Sequence, residues 1–290
     1  MNQITKRRGW WFVKDVITQA ELRHQWYILE KSRSGRAWII IAILMLLPAI
    51  LITFYFMILV IFGLPMTWNP VGNAFADNLI ELGFVALIVM NVSLYLIVIL
   101  ITLGLSSNSI TRERKGLTWD VLLLTNVDAR QIVLGKWWAS LVALWGDHAM
   151  VAFLRIGAVC LIILSIEPFT GIRLAPAPFG LSPILWHSAI LSLVFVAYTV
   201  IDAMFTAALG VGGSVSTQNA SVVSGVIFMV RLMGIIGFVW WIINIYNHLR
   251  IGRDYLPTVL VGLGIFALLT WGALRVGEWW AMQGEVSEPV

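Results

Sequence analysis

Charged residues are scarce in this sequence. Only 12% of its 290 residues are Asp, Glu, Lys or Arg, whereas 60% are hydrophobic, and its mean hydropathy is +0.89. Soluble domains carry about 25% charged residues, so the composition excludes an ordinary soluble domain. There is a single cysteine, Cys160, which excludes a disulfide framework within one chain.

Sequence motifs for nucleotide, metal and acyl-transfer chemistry are also lacking. The Gly135-Lys136 pair is followed by Trp137 and belongs to no GxxxxGK[ST] loop. The four histidines lie in separate segments without HExxH spacing, and no GxSxG sequence occurs. We therefore predict that the chain is not itself an enzyme and that it carries no metal or other cofactor.

Most of the sequence consists of long apolar runs. A helix needs about 20 apolar residues to cross the hydrocarbon core of a bilayer, and six runs meet this requirement. None alternates as a barrel strand would, so the predicted fold is an all-α polytopic membrane protein. Its six-helix domain covers residues 37–282, followed by a tail at 283–290. The predicted spans are residues 37–63, 79–105, 137–166, 184–210, 220–246 and 257–280.

Lys and Arg are concentrated before the first predicted span and after the second. Positively charged loops stay in the cytoplasm, so both segments are predicted to be cytoplasmic. An even number of spans then places both termini in the cytoplasm, with the chain in the plasma or inner membrane. The net charge of +4 reflects this bias and gives no reason to expect binding of nucleic acid.

The N-terminal segment, residues 1–36, has no apolar core of a signal peptide and mixes Trp with basic residues, as interfacial segments do. Its two apolar stripes are Val13, Ile17, Ala20 and Leu22, Trp26, Leu29. At 3.6 residues per turn these stripes lie on roughly opposite faces. The pattern predicts interfacial helix but argues against one straight helix, and a solvated basic tail is the alternative.

A polar segment, residues 107–136, separates the second and third predicted spans. Leu117, Val121 and Leu124 recur at helical spacing, which predicts a short amphipathic helix lying against the membrane or a partner protein. Asp128 is predicted to cap a second short helix that leads into the third span. An amphipathic loop that only anchors the two spans is the alternative interpretation.

The run ITRERKGLTWDVLLLTNVDARQIVLGK resembles the cytoplasmic signature of ABC-2 type transporter permeases. The matching positions are Glu113-Arg114, Thr118-Trp119-Asp120, Leu122 to Thr125, Ile132 and Gly135-Lys136. Two positions differ, since Leu117 intervenes where the family usually has Gly, and Asn126 stands where Pro is common. The N-terminal Glu21-Leu22-Arg23 and the six-span topology are similar to the same family.

The resemblance implies a function and a set of partners. In such permeases the loop between spans two and three is a coupling helix that docks into a separate ATP-binding cassette subunit, and two permease chains pair with two such subunits. The chain would then move a hydrophobic or amphipathic substrate across the membrane, with export expected. The alternative function is that of a non-transporting scaffold subunit that retains the permease fold in a larger membrane complex.

The contacts expected with the ATPase follow from the same resemblance. Packing contacts are expected from Leu117, Trp119, Leu122 and Leu123, and polar contacts from Glu113, Arg114 and Asp120. For Glu113 the alternative is a local ion pair with a neighbouring basic residue, which is worth little where it is exposed.

Ionisable residues within the predicted spans are the other candidates, because charge is costly in hydrocarbon. They are Asp147, His148, Arg155, Asp202 and Arg231. Arg231 is predicted to pair with Asp147 or Asp202, and we favour a structural ion pair over a polar lining of a transport path. Gly210, Gly212 and Gly213 are predicted to form a tight turn between spans four and five, where small residues let helices approach closely.

Overall fold

The computed structural model describes residues 16–32, 36–63, 74–116, 128–170, 182–216, 220–250 and 254–286. These ranges contain eight α-helices and no strand, so the all-α prediction is confirmed for them. The helices are α1 (Val16–Ser32), α2 (Arg36–Ile61), α3 (Ala74–Lys115), α4 (Ala129–Ala143), α5 (Trp145–Thr170), α6 (Pro183–Ser216), α7 (Ala220–Arg250) and α8 (Leu256–Val286).

Five of these helices are long and apolar enough to cross a membrane. The candidate spans are Gly83–Lys115 in α3, Trp145–Leu164 in α5, Pro183–Val215 in α6, Ser221–Leu249 in α7 and Leu256–Met282 in α8. The chain is therefore a multi-pass membrane protein, as its composition predicts. The described side chains of α2 add a shorter apolar stretch, Leu46–Ile61, and a total of six spans stays a prediction.

The second predicted span, residues 79–105, lies within a longer helix. With 42 residues, α3 is about 63 Å long at 1.5 Å per residue. This is about twice the ~30 Å of a hydrocarbon core, so one helix carries both a span and the charged sequence that follows it. Residues 107–115, predicted to begin the separate polar segment, are helical and continuous with the span.

The third predicted span, residues 137–166, is divided between two helices. α4 ends before Leu144, whose φ of −109° and ψ of 13° depart from the helical region. Helical hydrogen bonding resumes where the His148 amide donates to the Leu144 carbonyl at 3.0 Å. Gly146 has low helix propensity, and Asp147 lies in the first turn of α5, where a negative charge favours a helix start. These two residues explain why a new helix starts here.

α6 is the central helix of the bundle, packing against α3, α4, α5, α7 and α8. Three glycines near its C-terminal end let different neighbours approach: Gly210 faces Ser106 of α3, Gly212 faces Gly277 of α8, and Gly213 faces Val223 and Ile227 of α7. α6 continues to Ser216, so the prediction that these glycines form a turn was wrong. The expected close approach of spans four and five is confirmed at Gly213, whereas Gly210 and Gly212 allow the approach of α3 and α8.

The N-terminal segment contains one uninterrupted helix over Val16–Ser32, contrary to the expectation from its two apolar stripes. The face of α1 that packs on the bundle is half polar, with Thr18, Glu21 and Gln25 buried beside Leu22. Leu22 and Trp26 of the second stripe pack on α4. Hydrophobic periodicity did not reveal the buried polar groups, which are paired with other helices, chiefly α4. Val13, part of the first stripe, lies outside the described residues.

The close approach of α6 and α8 can be tested with a matched pair of glycines. A Cβ added at Gly277 would lie 2.9 Å from the Gly212 Cα, whereas a Cβ at Gly264 of α8 meets nothing within 4 Å. We expect Gly277→Ala to lower the free energy of unfolding by about 1–3 kcal/mol, because the backbones must separate. Thermal unfolding in detergent measures this, and an equal effect of Gly264→Ala would contradict the explanation.

Candidate functional site

An ion cluster joins α1, α3 and α4 at the end of the bundle where α3 terminates; it consists of Glu21, Arg112, Glu113 and Lys136. The side chain of Lys136 is only 1% exposed. Its ammonium donates to Glu21 Oε2 at 3.0 Å, Glu113 Oε1 at 2.6 Å and the Ser109 carbonyl at 3.1 Å. A lysine has three N–H donors, so this buried charge is fully satisfied.

Glu21 is the second centre of this ion cluster. Its carboxylate also accepts from Arg112 Nη2 at 2.9 Å and from Gln25 Nε2 at 3.1 Å. Burial acts to raise the pKa of Glu21, but Lys136 and Arg112 outweigh it, and the pKa lies below its ordinary value of 4.5. Gln25 in turn donates to Ser140 Oγ of α4 at 3.1 Å. α1 is therefore fixed to the bundle by charge and polar contacts as well as by the packing of Leu22 and Trp26 on α4.

Two further polar contacts hold the same end of the bundle. Arg114 Nη1 donates to the Val215 carbonyl at 2.7 Å, near the C-terminus of α6, where a positive charge is favourable. Glu278 of α8 accepts from Arg275 at 2.9 Å and pairs with Arg130 of α4 at 3.4 Å. The end of α3 and the start of α4 are thus tied to α1, α6 and α8.

The residues predicted to contact an ATPase divide into two groups. Leu117, Trp119, Asp120, Leu122 and Leu123 lie outside the described residues, as does the predicted amphipathic helix. Glu113 and Arg114 lie within the bundle end and make the contacts given above, so the local ion pair considered for Glu113 exists, with Lys136. The predicted cap is confirmed, since Asp128 accepts from the Arg130 amide at the start of α4.

A second group, the central polar cluster, lies deep in the bundle; its members are Tyr95, Arg155, Tyr198, Thr199, Asp202 and Arg231. Asp202 accepts from Arg231 Nη2 at 2.5 Å, from the Tyr95 hydroxyl at 3.0 Å and from the Tyr198 hydroxyl at 3.2 Å. Arg231 also donates to the Tyr95 hydroxyl at 3.1 Å. The pairing of Arg231 with Asp202, one of the two options that the sequence offered, is confirmed.

Arg155 extends the central polar cluster from α6 to α5. Its Nη1 donates to the Thr199 hydroxyl at 2.7 Å. Its guanidinium carbon lies 4.6 Å from the ring centroid of Tyr95 and 5.2 Å from that of Tyr198. Aromatic faces attract a guanidinium most strongly where water is absent. The cluster joins α3, α5, α6 and α7 through charges that would be costly if separated in hydrocarbon.

The remaining predicted intramembrane residues lie near the start of α5. His148 is buried, and its Nε2 lies 3.3 Å from the Thr102 hydroxyl of α3. Asp147 is half-buried in the first turn of the helix. Over the described part of the chain, no group of three His, Cys, Asp or Glu residues is placed to hold a metal ion.

Sequence reasoning missed most of the partners in both clusters. Tyr95, Tyr198 and Thr199 lie in apolar runs and give no signal of their own, because their hydroxyls acquire a role only when helices pack. Glu21 and Lys136 were noted only as positions that resemble a family. A sequence signal existed for Lys136, since a lysine followed by Trp137 and a long apolar helix is poorly placed for solvent.

Comparison of the chain with models of protein families, with curated proteins and with solved structures found no match.

The central ion pair generates a prediction about paired substitutions. Asp202→Asn alone leaves the Arg231 charge buried without a carboxylate, and we expect it to lower stability by about 3–5 kcal/mol. Asp202→Asn with Arg231→Gln should cost clearly less than the sum of the two single changes, because the stranded charge is gone. Unfolding midpoints in detergent measure the cycle, with Asn244→Ala on α7 as the control; additive costs would show that the pair is not coupled.

The lowered pKa of Glu21 generates a prediction about pH. The carboxylate binds its proton more weakly in the folded chain than in the unfolded chain, so its contribution to stability is complete above pH 4.5 and declines as the pH falls below that value. We expect the difference in melting temperature between the wild type and Glu21→Gln to shrink steadily under acid. A difference that is constant from pH 7 to about pH 3.5 would contradict the ion cluster as its source.

Proposed function

We propose that the chain is the permease subunit of an ABC-2 type ATP-binding cassette transporter. In this proposal a separate subunit hydrolyses ATP, and residues 117–127 receive its movement on the cytoplasmic side of the plasma or inner membrane. A second permease chain completes the path for a hydrophobic or amphipathic substrate, which is exported. The observation that carries the proposal is the anchoring of both ends of this segment.

The anchoring favours a mechanical role over a simple connection. On one side, Glu113 and Arg114 near the end of α3 bind Lys136 of α4 and the C-terminal turn of α6. On the other side, Asp128 caps α4, and Arg130 pairs with Glu278 of α8. A loop that only joins two spans gains nothing from ties to two further helices, α6 and α8, whereas a docking segment needs stiff supports to pass on a rigid-body movement.

The apolar surfaces of the bundle support the proposed substrate class and the second chain. A groove of about 580 Å³ lies between α7 and α8, with α6 as its floor. The side chains that line this groove are apolar or glycine, with Phe205, Val226, Leu269 and Trp280 among them. Met233 and Ile236 of α7 are 75% and 70% exposed. Such surfaces suit lipid, a second permease chain or an apolar substrate, and they do not suit a hydrophilic one.

The decisive experiment is purification of the tagged full chain from its native membrane in mild detergent, with mass spectrometry and an ATPase assay. We expect a nucleotide-binding subunit to co-purify with the wild type. Trp119→Ala with Leu122→Ala should reduce its recovery or its substrate-stimulated ATPase activity at least tenfold. Trp240→Ala is the matched control, because this tryptophan is 66% exposed on α7 and lies about 30 Å along that helix from Ala220.

Two other outcomes would redirect the assignment. The scaffold function is favoured if the chain purifies in a large complex without an ATPase and if neither tryptophan variant changes the recovery of that complex. If an ATPase co-purifies but is lost equally with Trp240→Ala, residues 117–127 are refuted as the docking segment. Glu113→Gln serves as a separate variant, because its contact with Lys136 predicts a loss of stability that Trp119→Ala should not share.

A further inference from the structure

A crevice of about 270 Å³ lies between α1 and α3, and its lining changes from polar to apolar along its length. The polar residues are Glu21, Gln25, Asn108 and Arg112. The apolar residues are Ile28, Leu29, Ile101 and Leu105. On α3 the apolar pair, Ile101 and Leu105, precedes the polar pair, Asn108 and Arg112. On α1 the order is reversed, with the polar pair first. The polar halves of the two helices therefore meet, at the Glu21–Arg112 contact of 2.9 Å.

The length of this gradient matches the outer layer of a membrane. From Ile101 to Arg112 the axis of α3 rises about 16 Å at 1.5 Å per residue. The headgroup region on one side of a bilayer is about 5–8 Å thick, and hydrocarbon begins beneath it. A molecule that filled the crevice would place a polar group at one end and an apolar chain of several carbons at the other.

A glycine on α3 keeps the middle of the crevice open. Gly104 lines it, and a Cβ built on Gly104 meets no atom within 4 Å. A Cβ built on Gly210 or Gly277, which line helix contacts, would instead meet neighbouring atoms within 3 Å. The space beside Gly104 is therefore not taken up by the packing of α1 on α3.

Arg112 supplies the chemistry at the polar end. One of its nitrogens, Nη2, donates to Glu21, and its side chain is 38% exposed. A guanidinium carries five N–H donors in a planar fork, so donors remain for an anion, and phosphate matches that geometry. Asn108, one turn away, is exposed; its Nδ2 donates to the Gly104 carbonyl at 2.8 Å, and the second N–H of this amide is left for an anion.

The size and lining of the crevice determine which kind of molecule can fill it. A second copy of the chain would have to insert a helix, whose diameter of about 10–12 Å with side chains is too large for this volume. A free phosphate ion would leave the apolar half, with Ile28 and Ile101, exposed to water. A diacyl phospholipid satisfies both halves at once, with its phosphate at Arg112 and one chain along the apolar side chains.

We propose that this crevice is a binding site for one membrane phospholipid, held by Arg112 and Asn108 at its phosphate and by Ile28, Leu29 and Ile101 along one acyl chain. The lipid bridges α1 and α3 beside the Glu21–Arg112 ion pair. Because it binds the folded arrangement and not the unfolded chain, it stabilises the position of α1. The site does not depend on the proposed transport function.

The test uses the purified full chain, stripped of lipid in detergent, with native mass spectrometry. 1-Palmitoyl-2-oleoyl phosphatidylglycerol and the matching phosphatidylcholine are titrated separately, and inorganic phosphate is the third probe. We expect one phospholipid to bind at least tenfold more tightly than all later ones, and Gly104→Leu to weaken that event at least tenfold. Gly264→Leu, which also enters open space but on α8, should leave it unchanged.

Each outcome decides the proposal. The proposal is overturned if the first phospholipid binds Gly104→Leu as tightly as the wild type. It is also overturned if Gly264→Leu weakens this binding as much as Gly104→Leu does. Inorganic phosphate is the third probe. If it binds as tightly as lipid, and if Gly104→Leu does not weaken its binding, the site belongs to a free anion and the proposal is overturned. If Gly104→Leu does not give folded protein by circular dichroism, Ile28→Asp replaces it, since Ile28 is 40% exposed and its change removes the apolar half alone.

Discussion

The burial of charge among apolar helices is the constraint on which this structure depends. Asp202 and Arg231 are 3% and 0% exposed, and neither is tolerable in hydrocarbon without the other. Their contact, together with the Tyr95 hydroxyl, fixes α7 against α6 and α3. Van der Waals packing also holds apolar helices together, and the polar cluster adds directional contacts that specify how α7 is rotated against α6 and α3.

The same constraint explains the end of the bundle at which α3 terminates. Lys136 is 1% exposed, and its three donors are distributed over α1 and α3. A buried ammonium of this kind stabilises the fold only when all its partners are present, which makes the position of α1 conditional on the ion cluster. The N-terminal helix is therefore coupled to Arg112 and Lys136, which follow Glu21 by 91 and 115 residues in the chain.

Composition was enough to predict an all-α membrane protein, because spans must satisfy their own backbone hydrogen bonds. The capping role of Asp128 was also predictable, since it depends on local sequence alone. The helical state of Gly210 to Gly213 was not, because it is decided by packing against other helices. The break at Leu144 was missed although Gly146 and Asp147 mark it locally, because hydrophobicity runs on through both helices. Of the candidate site, the ionisable residues could be found from their cost in hydrocarbon. Their hydroxyl partners, Tyr95 and Thr199, could not be found in this way, because the sequence of an apolar helix does not show which of its faces contacts a buried charge.

The two clusters are connected by one rigid element, and this gives the proposed coupling a direction. α3 is unbroken from the ion cluster at Glu113 to the central polar cluster at Tyr95, a rise of about 27 Å. The other route, from α4 into α5, is interrupted at Leu144. In the proposed coupling, a displacement applied to residues 117–127 would therefore reach the membrane interior through α3. There it would act on the hydroxyl shared by Asp202 and Arg231, and so on α7, whose outer face is exposed.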